Sequence, residues 1–230
     1  MTIGSFGLVG SARHTAAASA GEVLALYQMD TDVADSSNYN RVLTAYGNYS
    51  FYNGRFKCDT AGVWFLVPFG TELRGKSYTL EFQMTEYFNW NAGNYYLQLG
   101  GGIFDIRRTY VNSSTCSITA SISAWASESQ YVGQDSYTRN WNTMTNLFVR
   151  FAYDHITGTY RLYYNGSLVW STSNAILSSG WGEVVTALTF PSNTSLTFEA
   201  SNAGAMLDCL RVSTVALGAG MPDLPLSTSL

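Results

Sequence analysis

The chain has 230 residues, of which 46% are hydrophobic and 15% aromatic, yet 12% are charged, about half the share of an ordinary soluble domain. This composition excludes an intrinsically disordered chain, which combines low hydrophobicity with high net charge. The formal net charge is -4 and the 12 basic residues form no cluster, so we expect no nucleic-acid partner.

The order of elements along the chain predicts one antiparallel β domain between two arms. Residues 1–21 are rich in Gly, Ser and Ala and are expected to form an N-terminal arm. Residues 22–217 contain short runs of β-branched and aromatic residues that are broken by turn formers, with almost no helical periodicity. The predicted strands are 23–28, 41–46, 55–59, 63–67, 78–88, 95–99, 115–125, 146–153, 159–164, 167–170, 184–190, 195–200 and 205–213. Residues 218–230 contain Pro222 and Pro225, lack strand alternation and are expected to form a C-terminal arm.

Residues 147–170 carry the clearest local pattern, three predicted strands joined by two tight turns. The first turn spans 154–158, where Gly158 can adopt a positive φ. The second is the Asn165-Gly166 pair, a strong signal for a two-residue hairpin. The sequence therefore predicts a three-stranded antiparallel meander.

The three cysteines, Cys58, Cys116 and Cys209, cannot all pair within one chain, and their spacing matches no zinc motif. We interpret them as free, buried thiols, which are typical of a protein made in a reducing cytoplasm. The first residues lack the basic and apolar regions of a signal peptide, and no apolar run approaches the length of a membrane span. We therefore expect no export by that route and no membrane partner.

Four segments follow one another in an order that points to a known fold. They are Leu-Ala-Leu-Tyr-Gln-Met-Asp at 24–30 with Asp-x-Ser at 35–37, Ser-Tyr-Thr-Leu-Glu-Phe-Gln at 77–83, the meander with its Tyr-Asp-x-x-Thr-Gly and Asn-Gly turns, and Leu-Asp-Cys-Leu-Arg-Val at 207–212. Together they resemble the laminin-G-like jelly rolls of the concanavalin-A-type lectin and glucanase superfamily. The resemblance covers residues 22–217 and implies an all-β, antiparallel two-sheet jelly-roll sandwich of the concanavalin-A-like type.

The resemblance implies a choice among lectins, carbohydrate-binding modules, glycosidases and bacteriophage virion proteins, because one fold serves all of them. Our primary hypothesis is a non-enzymatic structural virion protein, made in the host cytoplasm, that decorates a capsid or belongs to a tail. It would form a homo-oligomer and dock on capsid or tail subunits through its arms. The alternative is a carbohydrate-binding module or receptor-binding tail protein whose partner is a host surface glycan. A jelly-roll glycosidase ranks third.

A catalytic function would depend on Glu81 and Glu86, which with Gln83 reproduce the spacing of the Glu-x-Asp-x-x-Glu strand of jelly-roll glucanases. Glycoside hydrolysis needs two carboxyl groups with different pKa values. Gln83 removes the middle charge that would tune the pair, and the non-catalytic laminin-G pattern also explains Glu81. His14 and His155 show no arrangement that supports a nucleophile, and His155 is interpreted as a solvated turn residue. We predict no catalytic residue and no enzyme.

Asp30, Asp32 and Asp35 alternate in the turn after the first predicted strand and, with Asp208, would supply oxygen ligands for calcium, which takes six or more. The simpler interpretation is that Asp30 and Asp35 cap turns and that Asp208 pairs with Arg211 or with a backbone amide. We favour the simpler interpretation and predict no metal and no cofactor, with calcium as the alternative.

Two mixed patches of aromatic and amide side chains are the candidate contact residues. Their members are Tyr87, Trp90, Asn91 and Tyr95 in the first patch, and Tyr137 and Trp141 in the second. Sugars stack on Trp and Tyr rings while amides bind their hydroxyls, but the same aromatic residues are also favoured in protein interfaces. We favour subunit contact over glycan binding for both patches.

Overall fold

The computed structural model describes residues 21–70, 72–73, 76–86, 95–99, 104–112, 114–127, 130–142, 146–173, 194–200, 204–222 and 226. Within these ranges the chain forms fifteen strands and no helix. The strands are β1 (Val23–Tyr27), β2 (Thr44–Tyr46), β3 (Tyr49–Phe51), β4 (Phe56–Cys58), β5 (Val63–Gly70), β6 (Tyr78–Glu86), β7 (Tyr95–Leu99), β8 (Phe104–Asn112), β9 (Thr115–Ser127), β10 (Gln130–Asn142), β11 (Leu147–Asp154), β12 (Thr159–Tyr164), β13 (Ser167–Ser173), β14 (Thr194–Ala200) and β15 (Ala205–Ser213). A helix long and apolar enough to cross a membrane does not occur in this described part.

The strands form two antiparallel sheets, which confirms the predicted all-β sandwich. In the eight-stranded sheet the order is β13-β12-β11-β6-β15-β4-β3, and β1 pairs with β15. In the seven-stranded sheet the order is β10-β9-β8-β7-β14-β5-β2. Several neighbouring strands are distant in sequence, as where β14 lies between β7 and β5, and such long connections are typical of jelly rolls.

Alternate residues of both sheets point between them and form the hydrophobic core. β5 contributes Val63, Phe65 and Val67, which are fully buried. Phe65 stacks on Phe198 of β14 with ring centroids 5.0 Å apart, and Phe56 of the other sheet meets both rings edge-on. Burial of this apolar surface is the main driving force for folding, and it commits one side of each sheet to the interior.

The sequence prediction omits β3, β8 and β10. β10 was missed because Thr138 and Asn140 on its outward side are polar, and on its other side the exposed Arg139 separates the partly buried Tyr137 and Trp141. Such a strand lacks the run of apolar residues that marks the core strands. The predicted strand at 184–190 and residues 1–20 of the predicted N-terminal arm lie outside the described residues.

The predicted meander is confirmed as β11, β12 and β13. At the first turn the Thr157 hydroxyl donates to the Asp154 carboxylate at 2.8 Å, and Gly158 has a φ of 63°. At the second turn Asn165 and Gly166 have φ values of 46° and 76°. Two successive positive φ values are what a tight hairpin turn of this kind requires.

A buried ion-pair triad crosses the outer face of the eight-stranded sheet. Glu81 on β6 lies directly opposite both Arg150 on β11 and Arg211 on β15, and all three side chains are buried. The Arg150 Nε donates to one carboxylate oxygen at 2.8 Å, and the Arg211 Nε donates to the other at 2.6 Å. Both oxygens of Glu81 are therefore engaged by guanidinium groups.

The chain that follows β15 covers the same face. Residues 214–222 are called here the C-terminal strap. The Arg150 Nη1 donates to the Gly218 carbonyl at 2.5 Å and to the Gly220 carbonyl at 2.9 Å. A guanidinium has five N–H donors, and the strap supplies acceptors for those that Glu81 does not take. The strap thus completes the hydrogen bonding of a buried charge.

Two further contacts hold the strap on the sheet. The Thr79 hydroxyl on β6 donates to the Val215 carbonyl at 2.5 Å and accepts from the Leu217 amide at 2.9 Å. At the far end the Gly220 amide donates to the carbonyl of Gly166 in the β12–β13 turn at 2.9 Å. The strap therefore crosses from β6 over β11 to the edge of the meander.

Leu226 provides a separate anchor beyond the strap. It is buried in a small apolar cluster whose other members are Val23, Leu26, Phe148 and Cys209. The Gln28 Nε2 donates to its carbonyl at 2.5 Å. The described residues of the predicted C-terminal arm, 218–222 and 226, thus contact their own domain, and docking of that arm on a second subunit stays a prediction.

Replacing Glu81 with Ala leaves two buried guanidinium groups without their carboxylate, so we expect the free energy of unfolding to fall by about 3–5 kcal/mol. Urea denaturation followed by tryptophan fluorescence measures the change. Arg161→Ala is the control, because its contact with Asp154 is 3.9 Å long and partly exposed. The control should cost about 1 kcal/mol or less, and equal losses in both variants would contradict the role of the triad.

Replacing Gly166 with Ala tests the close approach of the strap. Gly62 and Gly166 have nearly the same φ, 74° and 76°, but a Cβ on Gly62 would meet nothing within 4 Å. A Cβ on Gly166 would lie 2.8 Å from both the Gly220 carbonyl carbon and the Met221 nitrogen. Both variants carry the cost of a left-handed backbone, but only Gly166→Ala displaces the strap.

We expect Gly166→Ala to accelerate amide hydrogen exchange in residues 214–222, measured by mass spectrometry, while Gly62→Ala leaves that exchange at the wild-type rate. Identical exchange in the two variants would contradict the close contact between strap and turn.

Candidate functional site

The first predicted aromatic patch is described only at its last member. Tyr87, Trp90 and Asn91 lie outside the described residues. Tyr95 is the first residue of β7, the central strand of the seven-stranded sheet, where its backbone pairs with β8 and β14. A contact role for this patch stays a prediction.

The second predicted patch lies on β10 and faces the other sheet. Tyr137 stacks on Trp170 of β13, with ring centroids 6.3 Å apart and an interplanar angle of 18°. Trp141 meets Tyr164 of β12 edge-on at 6.0 Å. Both patch residues are partly buried and pack against the hydrophobic core. They therefore join the two sheets along this edge of the sandwich.

This inter-sheet cluster is tightly enclosed. The Trp141 Nε1 and the Tyr164 hydroxyl are buried and have no hydrogen-bond partner within the described ranges. Burial, with a smaller contribution from Tyr137, raises the pKa of Tyr164, so the phenol stays neutral at physiological pH. Arg139 lies over the Trp141 ring at 5.5 Å from its centroid. These contacts favour a packing role for Tyr137 and Trp141.

The acidic loop after β1 is held by its own hydrogen bonds. The Asp35 carboxylate accepts from two backbone amides at 2.8 Å and from the Arg41 amide at 2.7 Å, which confirms its predicted capping role. Asp32 accepts from the Ala34 amide at 2.9 Å. Among the described residues no three His, Cys, Asp or Glu side chains converge as metal ligands would. Calcium binding by Asp30, Asp32 and Asp35 stays an untested alternative.

An open depression of about 440 Å³ borders this loop and is lined by residues 32–35 and 40–43. Its one cation, Arg41, donates to the Leu24 carbonyl at 2.7 Å and forms an ion pair with Glu72. The same guanidinium lies 5.0 Å from the centroid of the Phe69 ring. Arg41 thus ties the loop to neighbouring strands and is committed to structural contacts.

Among the residues considered for catalysis, the structure describes the side chains of Glu81 and His155. Both oxygens of Glu81 are engaged by arginines, and Glu86 is the last residue of β6, where its side chain lies outside the description. His155 lies in the predicted turn, but it is half-buried rather than fully solvated, with its ring 6.1 Å from that of Tyr153. Its backbone amide donates to Ser77.

Of the two partners predicted for Asp208, the structure supports the backbone amide, that of Cys209, and not Arg211. The Asp208 carboxylate lies 3.4 Å from the Arg55 Nε, whereas Arg211 is taken by Glu81. The predicted Asp208–Arg211 pair does not form, because Arg211 lies directly opposite Glu81 and binds that carboxylate, while Asp208 lies opposite Gln83. Burial raises the pKa of Asp208, although Arg55 opposes that shift.

The outer face of the seven-stranded sheet carries an exposed pair of aromatic rings. Tyr46 on β2 and Trp64 on β5 are register partners and stack nearly in parallel, with ring centroids 4.1 Å apart and an interplanar angle of 15°. Tyr46 is 46% exposed and Trp64 is 37% exposed. This pair is called here the aromatic platform. Two exposed, flat rings suit a ligand that has a flat apolar face of its own.

Charged residues continue the outer face beyond the platform. Glu199 on β14 is the register partner of Trp64 and is half-buried. Arg107 on β8 is 64% exposed, and its guanidinium donates to the nearly buried Asp105 carboxylate at 3.0 Å through both Nε and Nη2. The platform is thus bordered by groups that hydrogen-bond.

Sequence reasoning missed the platform because every residue in 63–69 is apolar, which predicts a strand buried on both faces. The structure instead exposes Trp64 and Pro68 on the outer face. Pro68 was the one residue of this run that argued against a strand buried on both faces, since proline within a strand favours an edge position or a bulge. The stacking of Tyr46 on Trp64 depends on the pairing of β2 with β5, and no local sequence pattern predicts that pairing.

No protein-family model and no curated protein matches this sequence. Solved structures do match, and they include the binding domain of botulinum neurotoxin DC in complex with rat synaptotagmin II, at 14% identity and a TM-score of 0.59. The match covers 85% of this chain and 49% of that chain.

Two related structures match equally well. The botulinum neurotoxin DC binding domain in complex with SialylT matches at 14% identity and a TM-score of 0.58, with 85% of this chain and 48% of that chain covered. The serotype D binding domain matches at 13% identity and a TM-score of 0.58, with 86% and 49% covered. This chain spans about half the length of these neighbours, and at such identity they share its fold alone.

Replacing Trp141 with Ala opens a gap between the sheets, so we expect the free energy of unfolding to fall by about 3 kcal/mol. Trp64→Ala removes a ring from an outer face and should cost about 1 kcal/mol or less. Urea denaturation of both variants compares the two tryptophans. A larger loss for Trp64→Ala would contradict the assignment of Trp141 to packing and of Trp64 to the surface.

Proposed function

We propose that the chain is a non-enzymatic carbohydrate-binding module that holds a glycan on the outer face of its seven-stranded sheet. The observation that carries the proposal is the exposed, parallel pair of Tyr46 and Trp64. Sugar rings have flat C–H faces that pack on such side chains, while their hydroxyls hydrogen-bond to polar groups nearby. Glu199 lies beside Trp64 in register, where it would meet those hydroxyls.

The other outer face supports this choice of surface. On the eight-stranded sheet the C-terminal strap covers Arg150, and Leu226 covers the adjoining apolar cluster. A ligand would have to displace chain segments there and leave a buried guanidinium without acceptors. The seven-stranded sheet offers aromatic surface without such a cost.

The structural neighbours give general support to a recognition role. They are binding domains, and one is a complex with SialylT while another is a complex with rat synaptotagmin II. Because this chain spans about half of them, the proposal takes from them only that the fold occurs in domains that bind other molecules.

A phage structural protein is the second candidate. The low charge content, 12%, favours it, because lasting interfaces exclude charged residues. The described residues of the C-terminal arm contact their own domain, however, and none of the similarities described above points to a virion. A virion protein with a glycan-binding face would satisfy both proposals.

Trp64→Ala tests the proposed function. We expect wild-type protein to be retarded in affinity gels that contain a matching polysaccharide, drawn from glucans, mannans, galactans, alginate and polysialic acid. Loss of the stacking surface should weaken binding about tenfold, or about 1.4 kcal/mol. Tyr39→Ala is the matched control, because Tyr39 is 38% exposed, nearly the same as Trp64, but lies in the loop after β1 and outside the platform.

Wild-type protein that shows no retardation on this panel and no signal on a glycan array would contradict the proposed function. Equal weakening by Tyr39→Ala and Trp64→Ala would contradict the platform as the binding surface. Release of new reducing ends from the bound polysaccharide would contradict a non-enzymatic role.

A further inference from the structure

The aromatic platform is one end of a row that crosses the whole seven-stranded sheet. Register pairing joins one residue of each strand to the next without a break. The row, called here the cross-strand row, consists of Tyr46 (β2), Trp64 (β5), Glu199 (β14), Tyr96 (β7), Arg107 (β8), Thr119 (β9) and Thr138 (β10). Neighbouring strands lie about 4.8 Å apart, so seven of them span about 29 Å.

The row lies on the face opposite the core. The residues next to its members along the strands, Phe65, Phe198, Ile106, Ile118 and Ala120 among them, are buried between the sheets. Because side chains alternate along a strand, Tyr46, Trp64, Glu199, Arg107, Thr119 and Thr138 belong to the outer face, while Tyr96 joins the row through its backbone register. The exposure of Trp64, Arg107 and Thr138 agrees with that placement.

The chemistry of the row changes from aromatic to polar along its length. The platform occupies one edge, Glu199 and Arg107 lie within the sheet, and the Thr119 and Thr138 hydroxyls hydrogen-bond to each other at 2.9 Å near the other edge. The row thus offers a stacking surface at one end and hydroxyl, carboxylate and guanidinium groups further along. These groups match a ligand that has repeated C–H faces and repeated hydroxyls.

The charges of the row favour a neutral ligand. Arg107 is its one cation, and the Asp105 carboxylate already binds that guanidinium. Glu199 adds a negative charge next to the platform. An anionic polymer would therefore meet no excess of positive charge along the cross-strand row. The hydroxyl groups of a neutral polymer can hydrogen-bond to both carboxylates and guanidinium groups.

The surroundings argue against a protein partner. The other exposed large apolar residues of the described chain are Tyr39, Val42, Val111, Ile156, Leu168 and Met221, and most of them lie on loops or on the other sheet. Protein interfaces centre on a large contiguous apolar core, and the platform with the nearby Pro68 is a smaller apolar surface than such a core.

We infer that the ligand is a neutral, linear polysaccharide that lies across the strands along the cross-strand row, so that several consecutive sugar units contact the sheet. This inference rests on the proposed function, because it specifies the ligand of the same surface. A terminal monosaccharide would occupy the platform alone and would not reach Arg107, Thr119 or Thr138.

The experiment uses the full chain and oligosaccharides cut from the neutral polysaccharide that binds best in the affinity gels. Titration calorimetry compares the disaccharide with the hexasaccharide. We expect affinity to rise about tenfold or more with length, because each added unit reaches further along the row. High salt should leave that affinity unchanged, since charge makes no net contribution to it.

Variants at the far end of the row distinguish the sugar units bound there from those bound at the platform. Thr138→Val and Arg107→Ala should weaken hexasaccharide binding about threefold or more and leave disaccharide binding unchanged, whereas Trp64→Ala weakens both. Arg107→Ala removes the guanidinium that binds Asp105 and can disturb folding. Thr138→Val keeps the side-chain shape, so it tests the far end of the row even if Arg107→Ala does not fold. Thr159→Val, on a strand of the other sheet, is the control and should change neither affinity.

Equal affinity for disaccharide and hexasaccharide would overturn the inference while the proposed function stands. A preference for alginate or polysialic acid that weakens in high salt would also overturn it, because the ligand would then be anionic. Absence of any polysaccharide binding would overturn both the proposed function and this inference.

Discussion

The buried carboxylate of Glu81 is the contact on which the rest of the eight-stranded sheet depends. Glu81 binds one arginine from the strand on each side, and Arg150 in turn binds the carbonyls of the C-terminal strap. Burial of three charged groups is tolerated only when each is paired and its hydrogen bonds are satisfied. The triad therefore links the strand order β11-β6-β15 to the course of the chain after β15.

The two outer faces of the sandwich differ in what covers them. The strap and Leu226 cover the eight-stranded sheet with backbone carbonyls and apolar contacts. On the seven-stranded sheet the stacked rings of Tyr46 and Trp64 remain exposed, in register with Glu199 and Arg107. The scarcity of charge in the sequence agrees with the proposed neutral ligand, which hydroxyl, amide and aromatic groups would bind.

The sequence predicted those features that local chemistry determines. The Asn165-Gly166 turn, the capping carboxylate of Asp35 and the buried cysteines all follow from short patterns, and each is confirmed. The triad and the platform could not be found in that way, because they depend on which strands pair. Glu81 resembled half of a catalytic pair until its two cross-strand arginines were known. Trp64 resembled a core residue until the structure showed it exposed, between the buried Val63 and Phe65, with its ring stacked on Tyr46.

Hydroxyl-radical footprinting of the protein with and without the best-binding neutral polysaccharide tests the central claim most directly, because it reports the exposure of single side chains. The proposed function requires that bound polysaccharide protect Tyr46 and Trp64 from oxidation and leave Tyr39 and Trp170 unchanged. Protection of Trp170, with Tyr46 and Trp64 oxidised as in the free protein, would move the binding surface to the inter-sheet edge and contradict the account.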